Sequence, residues 1–346
     1  MKRFLFVVLF LCVVSYVCGC KSFKSLYIAT WNIDPISQPS EYYIKRAIPD
    51  VYDIVILQGV FDKKTEATIS RDEASVYRNR YFSPSISSGK YLSCSSEYLT
   101  VAKQFLACIK TYDMEKIDGE SYETCSEQYT LLFNTESSCL KCLVNAWNNG
   151  DKSAGINTCL GGKNVDEFTN DGRLGIMILS KYALSDVKTT PIKSLNRAKG
   201  VITFTVCDKI NVATVYMDRF EPLPSLEDDT YDWLSTTLTT NPDIVIGEFG
   251  FGNNHRPTYY DYFKGLGFIS TKVDVGPLSL SSGTYCPSES RPGCSGETPR
   301  QLNHIFISTT TSTLQLPQWV STYPFAYTSN TAISKYYGLS AKLLVK

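Results

Sequence analysis

Histidine is scarce in this chain, which has 346 residues and 2 His. Imidazole is the side chain that most often moves protons near neutral pH, so this scarcity limits His-dependent acid-base and metal chemistry. An excess of charge is also lacking, because 34 Lys and Arg balance 34 Asp and Glu. The sequence therefore has no strong nucleic-acid signature and no basic patch for an anionic membrane. A hydrophobic fraction of 43 % excludes a disordered or collagen-like chain.

Long apolar runs are missing except at the amino terminus. There, two basic residues precede an apolar stretch over residues 4–14, and small residues follow it up to Gly19. This pattern is typical of a secretory signal peptide. The stretch is shorter than the roughly 20 residues that span a bilayer. We predict a signal peptide over residues 1–19 and a secreted mature chain, 20–346, without a transmembrane span.

Cysteine is abundant, with 12 residues in the chain. Cleavage after Gly19 leaves an even number, for which disulfides in an oxidising compartment are the default interpretation. This abundance suits a eukaryotic secretory route better than the bacterial lipoprotein cleavage that Val17-Cys18-Gly19-Cys20 also resembles, which would place a lipid on Cys20. The mature cysteines are Cys20, Cys94, Cys108, Cys125, Cys139, Cys142, Cys159, Cys207, Cys286 and Cys294.

A cysteine-rich segment over residues 94–159 interrupts the rest of the chain. It holds six of the mature cysteines, and its apolar residues are spaced for one helical face. We predict a disulfide-stapled helical insertion whose six cysteines allow 15 pairings. The four residues that define the helical face are Ala102, Phe105, Leu106 and Ile109.

Cys139 and Cys142 form a CxxC motif inside this insertion. A redox motif would need its own βαβ context, and a zinc site would need further nearby Cys or His ligands. We therefore interpret them as two cysteines one helical turn apart that pair with different partners. Cys286 and Cys294 are expected to pair locally, which leaves Cys20 and Cys207 as a remaining pair.

Short β-rich runs alternate with helical patterns along the rest of the chain. A helix is predicted over residues 41–48, which end at Pro49, and another from the capping box at Ser225 to about Leu238. Strands are predicted over residues 26–31, 53–57, 174–179, 201–206, 212–216, 244–246, 305–307 and 339–345.

Six short motifs resemble, in order, those of the endonuclease/exonuclease/phosphatase superfamily, which includes deoxyribonuclease I-like nucleases and neutral sphingomyelinases. The resemblance implies an α+β protein, a four-layer α/β/β/α sandwich with a cleft at one end of its two sheets. The Cys-rich insertion lies outside it. The motifs are Thr30-Trp31-Asn32-Ile33 with residues 53–58, Gly175 to Tyr182, the hairpin over residues 201–216, Ile246-Gly247-Glu248-Phe249, Gln301-Leu302-Asn303-His304, and Ser334-Lys335-Tyr336.

The resemblance also implies a divalent cation, usually Mg²⁺, a water nucleophile and His/Asp pairs in the cleft. Hard cations require oxygen ligands and benefit from carboxylates. Asn32 matches the cleft Asn of the family, and Glu248 stands where the family has Asp, so Glu248 is the one candidate metal ligand.

The other cleft positions are substituted. Gly59 stands at the position of the metal-binding Glu, and Asp218 at that of a His that stabilises phosphate. An anion in place of the His reverses the local charge, and a neutral residue in place of an Asp removes an acid-base partner. The remaining substituted positions are Gly250 for Asn, Asn303 for Asp, and Lys335 and Tyr336 for the closing Asp-His pair.

The two histidines are weak candidates to replace the missing His/Asp pairs of the cleft. His304 is next to Asn303 and should point to the opposite side of the strand, which favours a core or surface role. His255 follows the loop beside the expected cleft and is the better candidate for a weak site with Glu248, although a solvated loop histidine is the simpler interpretation.

These substitutions favour a secreted, non-catalytic binding or interaction protein with an unknown extracellular ligand or protein partner, and no cofactor is expected. The alternative is a metal-dependent phosphodiesterase, a nuclease or sphingomyelinase type, with a site rebuilt around Asn32, Glu248 and His255. It would require Mg²⁺ or another divalent cation. In a third interpretation the fold only supports the insertion, which alone contacts a receptor, a lipid or a sibling chain.

Overall fold

A computed structural model gives the fold. It describes residues 24–33, 48–61, 63–85, 90–112, 124–148, 152–162, 164–166, 172–192, 198–217, 238, 240–252, 257–271, 301–311, 313–315, 319–323, 326–328, 331–332 and 338–346. The helices are α1 (Lys63–Asp72), α2 (Leu99–Thr111), α3 (Ser126–Thr135), α4 (Ser137–Asn148), α5 (Lys152–Leu160) and α6 (Pro257–Gly265).

The strands precede, separate and follow these helices along the chain. In chain order they are β1 (Ser25–Asn32), β2 (Ile54–Gln58), β3 (Asn79–Phe82), β4 (Lys90–Leu92), β5 (Asn164–Asp166), β6 (Ile176–Ser180), β7 (Leu184–Ile192), β8 (Lys199–Val206), β9 (Ile210–Tyr216), β10 (Ile244–Glu248), β11 (Phe268–Ser270), β12 (Asn303–Ser308), β13 (Trp319–Tyr323), β14 (Ala326–Thr328), β15 (Thr331–Ala332) and β16 (Gly338–Leu344). All eight strands predicted from the sequence are therefore present, with shifted ends.

Two six-stranded sheets form the body of the molecule. The first sheet has the order β13-β16-β1-β2-β6-β3, and the second has the order β7-β8-β9-β10-β12-β11. Each sheet has one parallel pair at its centre, β1 with β2 and β9 with β10, and its other neighbours are antiparallel. The two sheets thus share one pattern of parallel and antiparallel neighbours.

Apolar side chains bind the layers together. One core lies between the sheets and contains Ile28, Ile56, Ile178, Ile246 and Ile305. The outer face of the first sheet packs with Ile69 of α1, and the outer face of the second packs with Tyr260 and Phe263 of α6. Strand residues alternate between the two faces of a sheet, and here one face packs on the other sheet while the opposite face packs on a helix. Both sides of the central strands are therefore buried. The predicted α/β/β/α sandwich is confirmed.

A four-residue repeat marks the equivalent strands of the two sheets. Asp-Ile-Val-Ile occurs at residues 53–56, entering β2, and again at 243–246, entering β10. The Asp53 carboxylate accepts a hydrogen bond from the Tyr27 N–H at 2.9 Å, and the Asp243 carboxylate accepts one from the Asn211 N–H at 2.8 Å. Each aspartate therefore ties the start of its strand to the parallel neighbour.

The cysteine-rich segment forms a helical unit with its own core. Helices α2 to α5 pack around Phe105, Tyr129, Leu143 and their neighbours. The predicted face of α2 is correct, since its buried residues are Ala102, Phe105, Leu106 and Ile109. The antiparallel pair β4/β5 closes the two ends of the segment against each other.

Three disulfides staple this unit: Cys94–Cys139, Cys108–Cys125 and Cys142–Cys159. The two cysteines of the CxxC motif thus pair with different partners, as predicted. Cys207 is also disulfide-bonded. Cys20, Cys286 and Cys294 lie outside the described residues, as do most of the predicted helices at 41–48 and 225–238. Among the helices that the structure describes, none combines the length and apolar character needed to cross a bilayer.

Candidate functional site

The carboxyl ends of the central strands of both sheets lie at the same edge of the sandwich. Asn32 and Gln58 are paired at the ends of β1 and β2, and Tyr216 and Glu248 are paired at the ends of β9 and β10. The ring of Phe61, which follows β2, lies 5.9 Å from the Tyr216 ring between centroids and so joins the two ends. We call this the strand-end edge.

Strand alternation directs one set of side chains at this edge into the space between the sheets. Residues two apart from the apolar inter-sheet core must share its face. Gln58 follows Ile54 and Ile56 of that core by this rule, and its Nε2 donates a hydrogen bond of 2.8 Å to Thr30 Oγ1. The side chains that share this face at the edge are all buried, and they are Thr30, Asn32, Gln58, Thr214, Tyr216, Glu248 and Asn303. All of them except Glu248 are neutral.

Glu248 is the one carboxylate in this described set. It ends β10 and is 1 % exposed. Its register partner on β12 is Asn303, which is neutral and fully buried. Gly247, directly before it, has φ 142°, and a Cβ there would lie 2.0 Å from the Val215 carbonyl oxygen. Only glycine permits this close approach, which fixes the position of Glu248.

Gly59 carries no side chain at the position where the resemblance implies a metal-binding Glu. Its φ is 83° and it is buried. The backbone then continues along β6, because the Val60 N–H donates to the Gly175 carbonyl oxygen at 3.0 Å. A glutamate at residue 59 would have to adopt a left-handed conformation that side chains disfavour.

The described edge does not fit a divalent cation. Mg²⁺ and Ca²⁺ are held by several oxygens, with carboxylates supplying the charge. Within the part of the chain that the structure describes, no group of three or more His, Cys, Asp or Glu is placed to hold a metal ion. Amide oxygens of Asn32, Gln58 and Asn303 accompany a single carboxylate, and this donor set does not support a catalytic step through a metal.

His304 belongs to the outer core. Its Nε2 donates to the carbonyl oxygens of Phe251 at 3.0 Å and Gln301 at 3.2 Å, and its Nδ1 accepts from the Ser270 hydroxyl at 3.2 Å. Because both acceptors of Nε2 are carbonyls, the hydrogen-bond network assigns the proton to that nitrogen. The ring is fully buried and stacks on Phe306 at 4.8 Å between centroids. The expectation that it points away from Asn303, with a core or surface role, is confirmed, and its place is in the core.

The remaining site residues divide into two groups. Gly250 is described and is buried with φ 67°, so it serves the turn after β10. Asp218, His255, Lys335 and Tyr336 lie outside the described residues, and their roles stay predictions.

Sequence reasoning did not single out the two buried threonines, nor Asp243, which is buried at the opposite end of β10 and has the half-buried Asp53 as its equivalent. Thr30 and Thr214 occupy equivalent positions of the two sheets, and the repeated Asp-Ile-Val-Ile was the available signal. Burial raises the pKa of the Asp53 carboxyl, while the Tyr27 N–H and Lys181 oppose that change. Asp53 therefore has a structural role, at the opposite end of the strands from the strand-end edge.

Comparison with solved structures finds the same fold in several proteins. D. rerio TDP2 complexed with a single-strand DNA product aligns with a TM-score of 0.51 at 12 % identity, over 92 % of this chain and 98 % of that chain. An endonuclease/exonuclease/phosphatase from Beutenbergia cavernae gives 0.52 at 12 %, over 93 % and 72 %. A family protein from Leptotrichia buccalis gives 0.50 at 11 %, over 92 % and 99 %.

Beyond the short motifs, the similarity is one of three-dimensional structure. No family sequence model and no curated protein matches the chain. At these identities the alignments establish the fold, and this chain has the endonuclease/exonuclease/phosphatase, or deoxyribonuclease I-like, fold that its motifs predicted.

Proposed function

We propose that this protein is a secreted binding protein that uses the endonuclease/exonuclease/phosphatase fold without hydrolysing phosphate esters. The observation that carries the proposal is the neutral character of the strand-end edge, where Glu248 is the single carboxylate among the described inter-sheet side chains. Metal-assisted hydrolysis needs a cation to polarise the phosphate and to activate water. A fold supplies this chemistry only when the site residues are present.

Secretion rests on the amino-terminal pattern and on the disulfides. Stable disulfides form in oxidising compartments, and three of them staple the helical unit. A near-neutral mature chain, with 32 basic and 34 acidic residues, gives no charge-driven preference for nucleic acid. The ligand is accordingly proposed to be an extracellular molecule or protein.

Phosphodiester hydrolysis by the secreted, disulfide-complete protein tests the proposal. A chromogenic diester, DNA and sphingomyelin are each incubated with Mg²⁺, Mn²⁺ or Ca²⁺. We expect no turnover above that of the matched Asn32→Ala/Glu248→Gln variant, which removes the retained cleft positions. Turnover that this variant abolishes would overturn the proposal and would establish a rebuilt metal-dependent site.

A further inference from the structure

Four apolar residues lie between the sheets at the strand-end edge. Phe61 follows β2, Leu174 precedes β6, Ala198 precedes β8 and Tyr216 ends β9, and all four belong to the inter-sheet core. Two come from the first sheet and two from the second. We call this group the plug.

Two glycines, Gly175 directly before β6 and Gly200 in β8, make room for the plug. A Cβ at Gly175 would lie 2.5 Å from the Phe61 ring, and a Cβ at Gly200 would lie 2.9 Å from Leu174 Cδ1. Real Cβ atoms do not approach other heavy atoms so closely, so the ring of Phe61 packs directly on the backbone of Gly175. Packing of this kind is that of a protein interior.

The rest of the described edge is equally buried. Exposed fractions are 8 % for Phe61, 6 % for Tyr216, 2 % for Asn32 and 1 % for Glu248. A cleft that binds a hydrated cation and a phosphate ester must leave its polar groups accessible to both. At this edge the polar side chains are instead part of the core.

We propose that the Phe61 plug closes the strand-end edge, where this fold implies a divalent cation. Packing of the plug holds the two sheets together, and the protein folds without such a cation. This inference rests on the proposed function and deepens it, because it removes the cleft of the fold from the candidate binding surfaces. Binding would then use another face of the molecule.

Stability of Phe61 variants tests the packing part. Tyr262 on α6 is the matched control, since it is also aromatic but is 42 % exposed. We expect Phe61→Ala to lower the urea midpoint at least about threefold more than Tyr262→Ala, because deletion of a buried ring leaves a cavity. If Phe61→Ala does not fold, Phe61→Leu is expected to fold with a smaller loss. Equal midpoints for Phe61→Ala and Tyr262→Ala would overturn the plug.

Thermal unfolding in EDTA and in millimolar Mg²⁺ or Mn²⁺ tests the cation part. A ligand that binds the native state raises the unfolding temperature. Because the sealed edge binds no cation, we expect the same unfolding temperature in EDTA, in Mg²⁺ and in Mn²⁺. A saturable rise that Glu248→Gln removes would overturn the inference while leaving the non-catalytic proposal intact. Hydrolysis abolished by Glu248→Gln would overturn the proposed function, whichever result the titration gives.

Discussion

The two sheets share one pattern of parallel and antiparallel strand pairs and the same Asp-Ile-Val-Ile entry, yet they differ at the strand-end edge. In the first sheet β2 ends at Gln58, whose amide donates to Thr30 at 2.8 Å. In the second sheet the equivalent position is Glu248, which ends β10. At the opposite end the sheets agree, because Asp53 and Asp243 accept the same kind of backbone hydrogen bond.

This difference separates residues that hold the fold from residues that could perform chemistry. The aspartates and the apolar strand positions are repeated in both sheets because backbone donors must be satisfied and faces must be covered. The residues at the strand-end edge differ between the sheets. One carboxylate among neutral side chains is a weak basis for metal chemistry.

The largest expected effect concerns Gly247, which occupies the position that Leu57 has in the first sheet. At φ 142° a Cβ on residue 247 would lie 2.0 Å from the Val215 carbonyl oxygen. We expect Gly247→Ala to cost more than about 4 kcal/mol in urea unfolding, or to prevent folding. Gly265→Ala is the control, because a Cβ there meets open space. Similar midpoints for the two variants would contradict the close approach of β10 to β9.

Gln58→Glu places a carboxylate at the equivalent position of the first sheet. The substitution removes the Nε2 donor to Thr30 and introduces a charge at a fully buried position. We expect a loss of about 3 kcal/mol in the free energy of unfolding at neutral pH. The matched variant Glu248→Gln removes a charge instead, and we expect it to change stability by about 1 kcal/mol or less. A loss for Gln58→Glu no larger than that of Glu248→Gln would contradict the difference between the edges.

Asp53→Asn has the smallest expected effect, and it depends on pH. Burial raises the folded-state pKa of Asp53 above its ordinary value of 3.8, so the folded state holds its proton more tightly than the unfolded state. Stability from this group is therefore present at acidic pH and decreases as pH rises from about the unfolded pKa through the folded pKa. Asparagine keeps the acceptor for the Tyr27 N–H and removes this dependence.

The measurement is urea unfolding of wild type and Asp53→Asn across the acidic range. We expect the variant to gain stability relative to wild type as pH rises, by about 1 kcal/mol or less because solvent screens this partly exposed group. Asp243→Asn controls for loss of a carboxylate at the equivalent position. Parallel pH profiles for Asp53→Asn and wild type would contradict the stated shift.

The sequence was sufficient for the central strands but not for the periphery. Strands such as β2 and β10 are apolar on both faces, a pattern that depends on local composition alone. Helix α1 escaped prediction because its sequence, KKTEATISRD, offers one fully buried apolar residue, Ile69. Edge strands β3 and β7 also escaped prediction, since they depend on pairing with distant segments. Disulfide pairing in the helical unit likewise required the fold.

At the site, alternation correctly placed Asn303 and His304 on opposite faces of β12. The plug could not be predicted, because Phe61 meets Gly175 and Tyr216 only after distant strands assemble. A sequence shows which residues of a short motif are substituted. Whether those residues are buried depends on tertiary structure.

Whether the strand-end edge catalyses hydrolysis is tested with a chromogenic phosphodiester in Mn²⁺, using the secreted protein with intact disulfides and the Glu248→Gln variant in parallel. We expect both proteins to give the same rate as buffer alone. A wild-type rate above background that disappears in Glu248→Gln would contradict this expectation, because the strand-end edge would then hold a working metal site.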